Sequence, residues 1–264
     1  LAFVSSAEGD NQITIWSATE EEVKRSLQVE GVTALKNPAW SPGGNRLAFV
    51  GNDGGISDLY VLDLETKNVR QLTNDRYADL QPTWSPDGGT IAFSTDRAET
   101  NLDRLDPSKK MDLGLIDVES REISVREPFG DALHHNPQFS PDGQSLYFIS
   151  DKGGFKDIYR MERSSGDLFR VTRLQTGVSG ITALSPAMSV ASQAGSMMVS
   201  VYGDGRYTGV RLSAGEAKGS PLPDTTTAGR LKVSPSSPRE PEKDEDAPDT
   251  NAGRGSVPDG TEEK

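Results

Sequence analysis

The chain has 264 residues, of which 33% are hydrophobic, 6% aromatic and 26% charged, with 27 Gly, 16 Pro and no Cys. The missing cysteine excludes disulfide staples, thiolate metal sites and cysteine nucleophiles, and no run reaches the roughly 18 apolar residues of a membrane span. A formal net charge of −12 argues against a nucleic-acid partner, whose phosphates it would repel.

The sequence opens on Leu1-Ala2-Phe3-Val4. No initiator Met, basic n-region or apolar h-region precedes it, so no signal peptide can be read, and the expectation is a fragment of something longer. Ile13–Trp16 and Lys24–Leu27 follow as further short strands. A repeat then becomes visible. Ser-Pro-x-Gly stands at Ser41, Ser85 and Ser140, with a degraded copy at Leu184-Ser185-Pro186, a period of about 45 residues that stretches to 55 once. Each copy is preceded by a short segment: Asn37-Pro38-Ala39-Trp40, Gln81-Pro82-Thr83-Trp84, Asn136-Pro137-Gln138-Phe139 and Ile181-Thr182-Ala183-Leu184. Each is followed by a second segment (Leu47–Val50, Ile91–Ser94, Leu146–Ile149, Met197–Ser200) and a third (Asp58–Val61, Asp112–Leu115, Asp157–Arg160, Tyr207–Val210). Three copies carry a fourth: Arg70–Thr73, Glu122–Val125 and Phe169–Thr172.

Four short segments per unit, β-branched and aromatic, divided by Gly, Pro, Asp and Asn, read as four antiparallel strands. In the turn, Pro42, Pro86 and Pro141 preset φ for the second position, and Gly88 and Gly143 accept the positive φ that re-enters the next strand. Four strands per roughly 45 residues is the pattern of a propeller blade. The fold class is therefore all-β: a β-propeller of about five four-stranded antiparallel blades, the first and last incomplete. Blades two to four span 37–73, 81–126 and 136–173, and blade five spans 181–213. Trp40, Trp84 and Phe139 share one register and are expected to anchor packing between blades. The expected shape is an open arc, with Leu231-Lys232-Val233 left in the tail rather than filling a gap.

From Ala214 onward there is no Phe, Trp or Tyr, and seven prolines and many charges crowd the stretch. Such composition does not offset chain entropy. The division is a propeller over 1–213 and a disordered tail or linker over 214–264.

The stretches Trp40-Ser41-Pro42-Gly43-Gly44-Asn45-Arg46-Leu47-Ala48-Phe49, Trp84-Ser85-Pro86-Asp87-Gly88-Gly89-Thr90-Ile91-Ala92-Phe93 and Phe139-Ser140-Pro141-Asp142-Gly143-Gln144-Ser145-Leu146-Tyr147-Phe148 resemble the TolB-type, WD-repeat-like β-propeller repeat. Ser179–Ala187 also resembles large bacterial envelope proteins in which such a propeller follows a zinc-peptidase-like domain. The resemblance implies a non-catalytic scaffold that binds a protein or peptide in the periplasm or cell envelope. The rival implication is a propeller that gates substrate for a peptidase whose catalytic domain lies elsewhere.

For chemistry the sequence offers little. There is no His-Glu-x-x-His and no Gly-x-Ser-x-Gly, and Ser41, Ser85, Ser140, Asp87 and Asp142 read as turn formers. No catalytic residue, cofactor or metal is expected. An oxygen site for calcium would pair Asp53 with Asp58 and Asp151 with Asp157, but two carboxylates per loop favour hydrogen bonding to loop amides. The loops from second to third strand, and from fourth strand to the next blade, open on one face. Among them the charged insertion Asp96–Asp106 accounts for the long spacing. The expected partner-binding face is Arg76, Tyr77, Asp79, Arg97, Arg104 and His134. His134 and His135 are the only histidines, and the plain reading places them at the surface or a blade edge.

Overall fold

The computed structural model describes residues 1–7, 9–97, 110–130, 132–182, 184–222 and 232–234. Five antiparallel sheets follow one another along the chain. The first holds β1 (Ala2–Ala7), β2 (Asp10–Ser17) and β3 (Glu22–Gln28). The second holds β4 (Ala34–Trp40), β5 (Arg46–Asp53), β6 (Ile56–Asp63) and β7 (Val69–Gln71). The third begins with β8 (Asp79–Trp84), β9 (Thr90–Thr95), β10 (Asp112–Asp117) and β11 (Ile123–Arg126). The fourth begins with β12 (His134–Phe139), β13 (Ser145–Ser150), β14 (Asp157–Glu162) and β15 (Leu168–Arg170). The fifth holds β16 (Met188–Val190), β17 (Met197–Gly203) and β18 (Arg206–Leu212). After a 3-10 turn at Glu216–Lys218, β19 (Ser220–Pro221) adds to β15 and β20 (Lys232–Ser234) adds to β11. The chain is thus a five-bladed, all-β propeller. The return of Lys232–Ser234 corrects the expectation for that segment: it pairs as an outer fifth strand of the third sheet and fills no missing position. Of the rest of the expected tail 214–264, residues 214–222 are described and hold the 3-10 turn and β19, while 223–231 and 235–264 lie outside the described residues.

The Ser-Pro turns close as their chemistry demands. The hydroxyls of Ser85 and Ser140 donate to Asp87 and Asp142 at 2.5 and 2.6 Å, and each aspartate accepts the backbone N–H two residues on. These bonds, the serine hydroxyl first, hold both carboxyls below the usual carboxylate range. Gly88 and Gly143 take φ of 73° and 69°, where a Cβ would be strained. A Cβ on Gly143 would also stand 3.3 Å from Pro86, and Gly88 and Gly195 face Pro42 and Pro141 in the same way. Each turn therefore rests on the turn of the blade before it.

That last contact corrects the reading of the fifth blade. Ile181, Thr182 and Leu184 belong to no strand, Ala183 lies outside the described residues, and the inner strand is β16. The turn equivalent to Ser-Pro-Asp-Gly is Ala191–Ser196, closed by Ala191 N to Ser196 O at 2.8 Å. Ser185-Pro186 precedes the inner strand instead of following it.

Alternation places one apolar face of each sheet against the next. Separate hydrophobic clusters join the first sheet to the second, the second to the third, the third to the fourth, and the fourth to the fifth. Among the described residues no such cluster joins the fifth to the first. Phe49, Phe93 and Phe148, one on each second strand, are fully buried. Gly114 lies opposite Phe93 across the sheet, and a Cβ there would collide with its ring. Trp84 and Phe139 are buried, but Trp40 is 38% exposed. The reason is visible at Trp84, whose ring lies under Arg46 of the preceding turn, 4.9 Å away. Phe139 is covered differently, by Arg163 from the turn after β14 of its own sheet, at 5.2 Å. The first sheet contributes three strands and no Ser-Pro turn, so Trp40 has no such cover.

Candidate functional site

The inner strands β4, β8 and β12 share an irregularity that sets the site. Asn37, Gln81 and Asn136 each precede a proline and take φ of 50°, 56° and 53°. The register shifts at the same points. Proline removes a ladder donor, so the strand bulges and turns the preceding side chain sideways. Gln81 accepts from Asn136 N at 2.7 Å and Ser94 Oγ at 3.2 Å, and its amide nitrogen donates to Leu184 O. Asn136 Oδ1 accepts from Ala187 N at 3.0 Å and Met188 N at 2.9 Å. Two amide side chains thus link three consecutive sheets near the inner edge. The signal lay in the sequence as Asn-Pro and Gln-Pro, four residues ahead of each Ser-Pro.

At the loop end, Ala78 N donates to Asp96 Oδ1 at 2.8 Å, and Leu133 N donates to Asp151 Oδ1 at 2.9 Å. These repeated clasps bring the fourth-to-first-strand loop against the second-to-third-strand loop of the next sheet. Between the second and third sheets they enclose a charged cluster. Arg97 is buried, with Nη2 2.6 Å from Asp75 Oδ2 and Nη1 paired to Asp79 Oδ1. Thr95 Oγ1 donates to the same Asp79 oxygen at 2.8 Å. Asp79 is fully buried and its Oδ2 has no hydrogen-bond partner. Asp58, also buried, accepts from Thr73 Oγ1 and Gln71 Nε2, each at 3.3 Å. Ligand oxygens of Asp58, Asp75 and Asp79 lie within 4.8 Å of one another. Burial pushes the Asp79 carboxyl up to about 6 against the pull of Arg97 and Thr95. Burial also opposes the Arg97 charge, but the Asp79 and Asp75 carboxylates outweigh it and raise the guanidinium further.

The next junction carries different chemistry at the same place. His134 begins β12 as Asp79 begins β8. Its Nδ1 is 2.8 Å from Met111 O and 3.2 Å from Asp112 Oδ1, and its ring packs between Phe129 and Phe148 at 5.7 and 5.6 Å. Both histidines are buried, which corrects their placement at the surface or a blade edge. Residues near the start of an inner strand are covered by the neighbouring sheets on both sides. His135 has no hydrogen-bond partner on either ring nitrogen. Burial first, then Lys156 and His134, push its pKa down to about 3.

The expected binding face therefore divides. Asp79, Arg97 and His134 lie in the interior and offer no surface, a correction that follows from their ion pairs and ring contacts. Arg104 lies outside the described residues. Arg76 is exposed and Tyr77 half-buried. The Arg76 guanidinium donates to Tyr77 Oη at 3.1 Å and lies 5.1 Å from its ring centroid. Arg97 lies 5.5 Å from the same ring, and Tyr77 N donates to Asp75 Oδ1 at 3.0 Å. The ion cluster is thus the base on which Arg76 and Tyr77 are presented. Asp58 was foreseen only as a loop partner of Asp53, and its approach to Asp75 and Asp79 is set by packing between sheets.

Residues 1–101 match the model of the TolB beta propeller domain. Over 142 aligned residues the chain is 33% identical to the uncharacterized peptidase YuxL of Bacillus subtilis, covering 44% of this chain and 22% of that protein. Over 138 residues it is 27% identical to the TolB homolog of Chlorobium chlorochromatii, covering 40% and 31%. The chain spans less than a third of either of these curated relatives. Among solved structures, TolB from Acinetobacter baumannii matches with a TM-score of 0.62 at 18% identity, over 88% of this chain and 51% of that one. A puromycin-hydrolyzing peptidase of Mycobacterium tuberculosis matches with a TM-score of 0.57 at 16% identity, over 85% and 38%. At these identities the structures show a shared fold. No helix among the described residues is long and apolar enough to cross a membrane.

Proposed function

We propose that the chain, whose residues 1–101 match the TolB beta propeller domain, is a non-catalytic scaffold holding a protein or peptide partner on its loop end. Its place is the bacterial periplasm or envelope, a reading supported by the TolB homologue among its relatives. The observation that carries the proposal is the Arg76–Tyr77 pair, held over a buried ion cluster. Arginine and tyrosine dominate binding energy at interfaces, and a side chain already fixed loses little entropy on binding. The surrounding loops, Asn74–Ala78 and Thr95–Arg97, are clasped together on the same end.

A photo-crosslinking residue at Arg76, set against one at Lys67 in the turn between β6 and β7 at the opposite end, tests the face. Crosslinks to a protein or peptide from position 76 and none from 67 are expected. Equal yields, or none from 76, refute the face.

The peptidase named among the relatives favours a second reading, in which the propeller orients substrate for a catalytic domain in a longer polypeptide. A catalytic hydrolase or zincin domain in the full open reading frame, crosslinking with position 76, decides for it.

A further inference from the structure

The loop end of the fourth and fifth sheets carries exposed apolar side chains among exposed bases, and we propose that it is a docking surface for an extended acidic peptide bearing a large apolar residue. The inference rests on the reading of the loop end as the partner's face and adds the partner's chemistry. Phe155, in the loop between β13 and β14, is 56% exposed, and Ile181, in the segment leading to β16, is 86% exposed. Both stand on a backbone that is held. Val178 N donates to Lys156 O at 2.6 Å, and a Cβ on Gly177 would stand 3.0 Å from the same oxygen. Ser179 N donates to Ser200 O at 3.0 Å, and Tyr207 Oη donates to Gly180 O at 3.1 Å. Phe155 adjoins this seam at Lys156, and Ile181 follows Val178 by a stretch that reaches at most about 11 Å. Tyr207 and Tyr202, with ring centroids 4.9 Å apart, continue the surface and are 48% and 45% exposed. Apolar side chains grouped in water on a fixed backbone mark an interaction site.

Charge selects the partner. The exposed charged residues of these loops are Lys152, Arg173 and Arg206 against Asp204, in a chain of net charge −12. A local surplus of bases attracts carboxylates within roughly 8 Å at physiological salt. An anionic bilayer is extended and meets the repulsion of the whole chain, whereas a single peptide strand meets only the local field. An apolar side chain seated by Phe155 and Ile181 supplies the burial, and carboxylates flanking it meet the bases. Residues 238–249 of this chain provide carboxylates but no aromatic or branched apolar side chain, so the fitting occupant is a segment of another protein.

Three labelled synthetic peptides of equal length test this on the full chain. One alternates Asp and Glu around a central Leu-Phe pair, one has that pair changed to Ala-Ala, and one has its carboxylates changed to Lys. Fluorescence anisotropy at low salt is expected to rank the first at least about tenfold tighter than the others, and added salt to weaken it. Phe155→Ala and Arg173→Glu are each expected to weaken it about threefold or more, with Tm unchanged. No binding of the first peptide, equal affinity for all three, indifference to both substitutions, or binding only to phosphatidylglycerol vesicles overturns the proposal. A crosslink from position 76 together with failed peptide binding removes this inference alone. Peptide binding without a crosslink from 76 removes the Arg76–Tyr77 contact alone.

Discussion

Two neighbouring junctions place different chemistry on one backbone plan. Between the second and third sheets a guanidinium ties two carboxylates, with a third carboxylate alongside. Between the third and fourth sheets a carboxylate faces an imidazole wrapped in aromatic rings. Ala78 and Leu133 are clasped identically in both, and the inner strands bulge at the same proline. The blade geometry is thus set by turns, bulges and apolar faces. The polar groups at the loop end are free to differ, which is where a repeat protein can diversify without disturbing its packing.

The sharpest way to break the comparison is to remove the guanidinium. Arg97→Met leaves Asp75 and Asp79 buried beside each other and is expected to cost about 3–5 kcal/mol in urea unfolding. Lys152→Met, one residue beyond the equivalent clasp and exposed, should change stability by less than about 0.5 kcal/mol. Equal losses would show that the first junction has no special ionic base. Apolar packing should separate blades in the same manner. Trp84→Ala opens a cavity under Arg46 and is expected to cost about 3–5 kcal/mol, against under about 1 kcal/mol for the exposed Trp40→Ala. A Trp84→Ala loss below about 1 kcal/mol would contradict its role as an inter-blade anchor.

The second junction should respond to acid through His135. Its folded-state pKa of about 3 lies below the ordinary value of 6.5, so the unfolded chain takes up the proton first. Stability is therefore full above about pH 6.5 and falls as pH drops from there towards 3. At about pH 5 the loss from this residue approaches roughly 2 kcal/mol. Urea midpoints at neutral pH and about pH 5 should converge in His135→Leu relative to wild type. The same acid sensitivity in both proteins would refute it.

Much of the fold was readable because it repeats locally. Ser-Pro-x-Gly turns, four strands per unit and the period follow from residues near in sequence, and Phe49, Phe93 and Phe148 fall at equivalent places in the quoted repeats. The fifth blade misled because Ser185-Pro186 imitates the turn without its glycine, while Ala191–Ser196 makes the turn without its proline. The site was less legible. Alternation along a strand says which way neighbours point, but not that Asp58 meets Asp75 and Asp79, nor that Arg97 lies between them. It also cannot report that a histidine at the head of an inner strand is covered from both sides by adjoining sheets.

The glycine-on-proline contacts at Gly88, Gly143 and Gly195 have a wider consequence. Each joins two groups with almost no side-chain freedom, so pitch from blade to blade is fixed at one end with little entropy left to lose. The opposite end carries no such constraint on length. There the third blade lengthens the spacing from 44 to 55 residues between Ser85 and Ser140, and the sheets on either side keep their register. One end serves as a ruler, which lets the other be rewritten.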